Sequence, residues 1–279
     1  MRLRPRYGDQ PVVRFDGPIG DPAKPLLRQR RRLGDTLKGL DADQWAAASR
    51  CEGWSVRDVV AHLVTTNGFW VVSALGALAG EPTRYLSDFD PVASPKVAVD
   101  SMLTMTTEDV LTSYIDGVEK LAAAVEGLDD AQWSLPAEAP PGHIALAAMA
   151  RHALWDAWIH ERDVCIPLGY QQPEEDDEVL ASLEYAAALG AGFLALEGSP
   201  RSATLVVDAT GPETHFVIDA GESVVVRGGD APADALRITG SCVDLVEALS
   251  FRVPFPAGVG EETRWLFAGL GTVFEVAEA

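Results

Sequence analysis

Three side chains that can bind a metal or move a proton recur at intervals of four in RHALWDAWIHERDV, residues 151–164: His152, Asp156 and His160. Four residues is close to one helical turn, so neighbours in this series project from the same side of a helix. An acid and an imidazole so placed can hydrogen-bond to each other, or they can offer an oxygen and a ring nitrogen to one ion. The three cannot all share an ion, because His152 and His160 lie two turns, about 12 Å, apart along the axis. A catalytic zinc takes three protein groups and keeps a position open for water or substrate. The third ligand must therefore come from another helix, and His62 is the candidate. It sits among Val59, Leu63 and Phe69, where an imidazole without a partner is costly. The expected ligand set is His62, Asp156 and His160.

The neighbouring residues read differently. His152 is expected as a supporting or surface residue, Glu161 and Asp163 as a solvated flank, and Arg162 as the partner of an acid. Trp155 and Trp158 fall on different sides of the helix, so at most one lines a pocket. Cys165 reads as a small core residue, and His143 and His215 as surface or cap residues. Cys51, Cys165 and Cys242 are widely separated with no CxxC pair, which argues against a disulfide framework or a thiolate zinc cluster.

These residues need helices to position them, and the apolar pattern supplies helices from about Pro22 to Leu196. PLLRQRRRLGDTLKGL predicts a first helix, with Leu26, Leu27, Leu33, Leu37 and Leu40 inward and the arginines outward. DADQWAAA suggests a short helical turn. Ser55 opens a second helix through a capping-box pattern and carries His62. A third spans TEDVLTSYIDGVEKLAAAVEGL. The fourth contains the His152–His160 series, starting after PPG at 140–142 and stopped by Pro167 and Gly169. EDDEVLASLEYAAALGAGFLALEG closes the helical half. After GSPRS, residues 198–202, the period changes: ATLVVDATGPETHFVIDAGESVVVRGG gives three strands and DALRITG a fourth. Ser241 then caps the helix CVDLVEALSF, and EETRWLFAGLGTVFEVA forms a closing helix. The expected architecture is an all-α four-helix bundle over residues 1–200 followed by a small α+β domain over 201–279.

Composition limits the partners. Twenty-two basic residues against 42 acidic ones leave a net charge of −20 over 279 residues, which repels nucleic acid and anionic membranes. The start MRLRPRYG lacks an apolar region behind its basic residues, and no run is expected to reach a membrane span. The expectation is a cytoplasmic protein, monomeric or homodimeric, that binds small molecules.

GWSVRDVVAHL at 53–63, followed later by DAWIHERDV, resembles the DinB-like metal-binding bundle of the mycothiol-dependent maleylpyruvate isomerase family. LRITGSCVDLVEALSFR, residues 236–252, is similar to that family's C-terminal domain, which is related to sterol-carrier proteins. The resemblance implies one divalent metal, zinc above all, held by His62, Asp156 and His160. The family carries glutamate where this chain has Asp156, which retracts the carboxylate by about 1.5 Å. It also implies mycothiol or another small thiol as cosubstrate, with metal-bound thiolate as the nucleophile. In the isomerase reaction the thiolate adds to a cis double bond, the new single bond rotates, and elimination leaves the trans isomer. An anionic substrate would need a cation, and Arg252 matches an arginine of the family. Phe251 stands where the family usually has glycine, which suggests an altered pocket.

Function is thus expected to be that of a metal-dependent, thiol-using isomerase or transferase acting on a small electrophile. A related thiol S-transferase or metal-dependent hydrolase on the same bundle is one alternative. A non-catalytic small-ligand-binding or regulatory protein that has lost the metal is the other.

Overall fold

Four helices of this chain start at a side-chain capping box. Asp41 with Gln44, Ser55 with Asp58, Thr106 with Asp109 and Asp129 with Gln132 each form a complete capping box, satisfying backbone N–H groups that the first turn leaves unpaired. The computed structural model describes residues 4–8, 11–91, 93–196 and 201–273. Strand β1 (Val13–Asp16) precedes α1 (Ala23–Lys38), α2 (Ala42–Ala46) and the long α3 (Val56–Leu78). Then come α4 (Ala93–Asp100), α5 (Thr107–Val125) and α6 (Asp130–Trp133), and a hairpin of β2 (Pro136–Ala139) and β3 (Gly142–Ala145) that runs directly into α7 (Leu146–Cys165). After α8 (Asp176–Leu196) follow β4 (Ala203–Thr210), β5 (Thr214–Ala220), β6 (Val224–Arg227) and β7 (Leu236–Ser241). The described chain closes with α9 (Cys242–Leu249), α10 (Glu261–Arg264), a 3-10 turn at Trp265–Phe267 and α11 (Ala268–Val273).

The result is a mixed helix and sheet protein. Helix α3 packs against α5 and α7, and α1 lies against α5, α7 and α8. The sheet has the order β1-β6-β5-β4-β7. Its β4–β5 and β5–β6 pairs are antiparallel, and its β4–β7 and β1–β6 pairs are parallel. Helix α8 joins the two layers, touching α7 on one side and β5, β6 and α9 on others. Its composition fits that place: Leu183, Ala186, Ala187, Leu189 and Phe193 are all buried, and a helix that is apolar all round needs cover on every side.

Several expectations change here. Pro136–Ala145 is a hairpin inside the helical half, in a stretch whose Ala and Pro content hides its strands. Strand β1 comes from the N-terminus yet belongs to the sheet; four residues are too few to show a period. The arginines of α1 do not all point outward. Arg30 is fully buried, donating from Nε to Asn67 Oδ1 at 2.8 Å and from Nη2 to the Ala153 carbonyl at 2.9 Å. Arg32 bridges Glu161 and Glu178. The cause is crowding, since α1 has helices on three sides and its long side chains become cross-helix ties. Two helices, Val56–Leu78 and Asp176–Leu196, are long and apolar enough to cross a membrane, contrary to the sequence reading; 50% and 72% of their apolar windows are buried in the core instead. The closing helix is broken at the 3-10 turn, and its last expected residues, 274–277, lie outside the described residues, as do 197–200 at the expected boundary.

Candidate metal centre

Helix α7 is built to run through the interior. Alanines at 147, 148, 150, 153 and 157 favour helix and let neighbours approach closely, so the few polar side chains it carries are forced onto other groups. Asp156 and His160 project one turn apart toward α3. There the Ser55–Asp58 capping box fixes where the helix starts, and His62, two turns on, faces them.

Nε2 of His62 and Nε2 of His160 each lie 3.6 Å from Oδ1 of Asp156. One ligand atom from each residue falls within 4.8 Å of the others. Hydrogen-bonded nitrogen and oxygen are about 2.7–3.2 Å apart, so these contacts are too long to be hydrogen bonds. Two ligands about 2.1 Å from one tetrahedral ion are about 3.4 Å from each other, which is close to the spacing seen. Oδ2 of Asp156 is buried without a hydrogen-bond partner, an arrangement that a cation at the cluster would offset. The donor set, two imidazoles and a carboxylate, suits zinc or a similar divalent ion.

Electrostatics point the same way. Burial alone would raise the Asp156 pKa, but His62, His160 and His152 around it hold the carboxyl well below the usual range. Burial alone would lower the His160 pKa, but Cys51, Asp163 and Asp156 push it up to about 10. A cluster that holds a proton so firmly attracts positive charge, and a metal must displace that proton.

Asp163 sets the orientation of His160. The His160 ring shares a 3.0 Å hydrogen bond from Nδ1 to Asp163 Oδ2. With Nδ1 as donor, the Nε2 lone pair faces Asp156 and His62, the relation that outer carboxylates give metal-binding histidines. Asp163 also accepts from Arg252, at 2.8 Å from Nε and 2.8 Å from Nη2, and from the Cys51 thiol at 3.2 Å. Cys51, His160 and Asp163 form a second cluster with metal-ligand spacing. Arg252 already occupies that carboxylate, and a metal there would have to displace a guanidinium, so His62, Asp156 and His160 are the better-fitting set. The expectation that Glu161 and Asp163 form a solvated flank is corrected: both are buried, Glu161 on Arg32 and Gln29, Asp163 on Arg252. The helix ahead of them is covered by α1 on one side and by the α9 end on the other.

Arg252 does reach the cavity, as the motif implied, but its guanidinium is engaged by Asp163 and, through Nη1, by the Ser250 carbonyl at 3.0 Å. Phe251 before it has φ of 55°, the left-handed region that favours glycine, the residue the resemblance implies there. Arg162 pairs with Glu247 and Glu174, and Glu247 also holds Arg50, so α9 is bound to α7 by ion pairs.

The three candidate ligands, His62, Asp156 and His160, open on a cavity of about 470 Å³. Trp54, Phe69, Trp70, Phe89, Trp155 and Phe193 form much of its wall. Trp155 is thus the tryptophan that faces the pocket, and Trp158 lies in the core under Arg162. His152 turns from the ligands to Tyr185, Nδ1 to hydroxyl 2.8 Å, and burial pushes its pKa down to about 4. Cys165 is buried as expected, and His215 is exposed on Asp208. His143 is buried rather than at the surface, its Nε2 2.9 Å from the Thr83 carbonyl, because the hairpin carrying it is covered by the loop after α3.

Sequence reasoning missed Cys51 and the tie formed by Asp163. For Asp163 a signal existed: HERD places an acid three residues after His160, within reach on one helix face. Cys51 lies in the irregular link between α2 and α3, where no periodicity points at a partner.

Residues 26–165 match the family described as the mycothiol maleylpyruvate isomerase N-terminal domain. Uncharacterised proteins from two strains of Mycobacterium tuberculosis, CDC 1551 / Oshkosh and H37Rv, are 25% identical to the chain over 273 residues, covering 89% of it and 95% of their own length. The crystal structure of the mycothiol-dependent maleylpyruvate isomerase superposes with a TM-score of 0.58 at 16% identity, covering 85% of this chain and 91% of that one. A histidine-to-alanine mutant of that enzyme gives 0.57 at 17%, with the same coverage. These likenesses establish the shared fold.

Proposed function

The chain belongs to the mycothiol maleylpyruvate isomerase N-terminal domain family, and from that premise we propose that it is a metal-dependent, thiol-using enzyme, an isomerase or transferase acting on a small electrophile. We read α1, α3, α5 and α7 as the family's four-helix bundle, and the strands after residue 200 with α9 as a second unit. His62, Asp156 and His160 are the metal ligands in this reading, and zinc is the metal that their donor set favours.

The observation that carries it is the pair of 3.6 Å separations about Asp156 Oδ1, at the wall of a cavity large enough for a small substrate. A divalent metal there would lower the pKa of a small thiol such as mycothiol and hold its sulfur as a nucleophile. The protein's own residues do the rest. Asp163 keeps the His160 proton on Nδ1, Arg252 keeps Asp163 ionised and in place, and the aromatic wall excludes water from the electrophile.

The test is elemental analysis of protein purified without chelator or added metal, alongside thiol-dependent turnover of maleylpyruvate and of simple electrophiles. Stoichiometric zinc lost in His62→Ala and His160→Ala, with circular dichroism unchanged and thiol-dependent turnover abolished, is the expected result. A wild-type protein that takes up no divalent metal would refute the reading.

A further inference from the structure

We propose that the electrophile this cavity accepts is uncharged and flat, carrying a conjugated carbonyl, rather than a dicarboxylate; the proposal rests on the thiol-using reading above and names its substrate class. Among the described residues that line the cavity, Arg252 is the one Arg or Lys side chain. Its Nε and Nη2 lie on Asp163, its Nη1 on the Ser250 carbonyl, and its Nη2 3.6 Å from Cys51 Sγ. Buried Asp163 pairs with that charge, and Arg50, 3.4 Å from the same carboxylate, is itself held by Glu247. His152, the lining histidine outside the ligand set, is engaged with Tyr185.

The ligand set adds little attraction for an anion. With both histidines neutral, a divalent ion and Asp156 leave one net positive charge, and the thiolate neutralises it. A substrate carboxylate entering this wall would lose its hydration without gaining a cation, and burying an unpaired charge is strongly unfavourable. Two such groups double the difficulty.

What the wall does offer is aromatic surface. Trp54, Phe69, Trp70, Phe89, Trp155 and Phe193 border the space, with Leu86, Leu189 and three prolines between them. Planar apolar molecules are held by such faces through burial and offset stacking. Thr65 and Thr66 direct their hydroxyl protons to the backbone carbonyls of His62 and Leu63. Two donors on lining residues are buried without a hydrogen-bond partner, Nε1 of Trp70 and, with Nε2 turned to Asp156, Nδ1 of His62. An indole N–H only donates: it can take an oxygen acceptor such as an enone carbonyl, and as a neutral group it supplies no charge to offset a carboxylate.

The chemistry balances with these parts. The thiol sulfur forms a bond to the β-carbon of the enone, the π pair of the C=C bond shifts to the α-carbon, and that carbon takes the proton given up by the thiol. All atoms of both reactants stay in the adduct, and no oxidant or reductant is needed. Reversal after rotation about the new single bond gives isomerisation; release of the adduct gives conjugation.

The test uses 4-phenylbut-3-en-2-one and its para-carboxylate, matched in shape and different in charge. Binding is read as quenching of tryptophan fluorescence in metal-free and zinc-loaded full-length protein, and turnover is followed with mycothiol. The expected result is at least tenfold tighter binding of the uncharged ketone in both forms. Thr65→Arg, which adds a free guanidinium to the wall, should narrow that preference. Equal or tighter binding of the carboxylate, or no quenching by either, overturns the proposal. Protein that binds the ketone selectively but takes up neither zinc nor mycothiol sinks the enzyme reading and leaves the cavity's preference standing. Zinc-loaded, thiol-binding protein that prefers the carboxylate does the reverse.

Discussion

Asp156→Glu installs the acid that the family resemblance implies at this position, and the geometry expects it to weaken metal binding. Oδ1 of Asp156 already lies 3.6 Å from both imidazole Nε2 atoms, close to the spacing around a tetrahedral ion. An added methylene moves the carboxylate by about 1.5 Å, whereas metal–ligand distances tolerate about 0.2 Å. The longer side chain can reach the same point only by folding back. One or two torsions held away from their minima cost about 0.5–1.5 kcal/mol each, so affinity should fall by roughly twofold to a hundred-and-fifty-fold. The assay is zinc competition against a chromophoric chelator at fixed pH, with circular dichroism to confirm the fold. Equal or tighter zinc binding by the glutamate variant would show that α3 and α7 are not set to the shorter acid, and the reasoning would fail.

Asp163→Asn should leave the helices formed while lowering zinc affinity about tenfold to a hundredfold, the usual effect of losing the group that orients a metal-binding histidine; chelator competition checks it. At Phe251, φ of 55° reverses the usual ranking, so Phe251→Gly should be more stable than Phe251→Ala by about 1 kcal/mol, measured by urea denaturation. Both should fall below wild type, because each loses the contact with the Phe255 ring, 5.9 Å between centroids. His152 has its pKa lowered by burial to about 4, so the unfolded chain binds its proton first. That stability is complete above about pH 6.5 and is lost as pH falls toward 4, by up to about 3 kcal/mol. Urea midpoints at pH 7 and pH 4.5 should therefore differ less in His152→Asn than in wild type.

The helices that carry the site were legible because their signals are local. Ser55 and Asp58 mark the start of α3, and the four-residue spacing of Asp156 and His160 puts them on one face. That His62 meets them is a tertiary fact, anticipated only because a mid-helix imidazole among apolar neighbours needs a partner. Asp163 and Glu161 were misread since local pattern cannot show that Arg252 and Arg32, far off in sequence, would cover them. Arg30 was misread for the same reason: three arginines in a row look solvated until helices close on both sides. The hairpin at Pro136–Ala145 is held by long-range bonds such as Ser73 Oγ to the Glu138 carbonyl at 2.8 Å, which no propensity encodes.

Strand β1 lies beside β6, with Val13 opposite Val224, roughly two hundred residues later in the chain. During synthesis Val13 must wait for nearly the whole protein before its neighbour exists, and so distant a parallel pairing is among the slowest contacts a chain makes. Until then the rim of the sheet at β6 is open to strands of other molecules. A fragment stopping near residue 200 would emerge with β1 lacking its neighbour and with His160 lacking the Arg252 brace behind Asp163. Two architectural layers would therefore mature as one kinetic event, in which the last segments to be made complete both the first strand and the setting of helix α7.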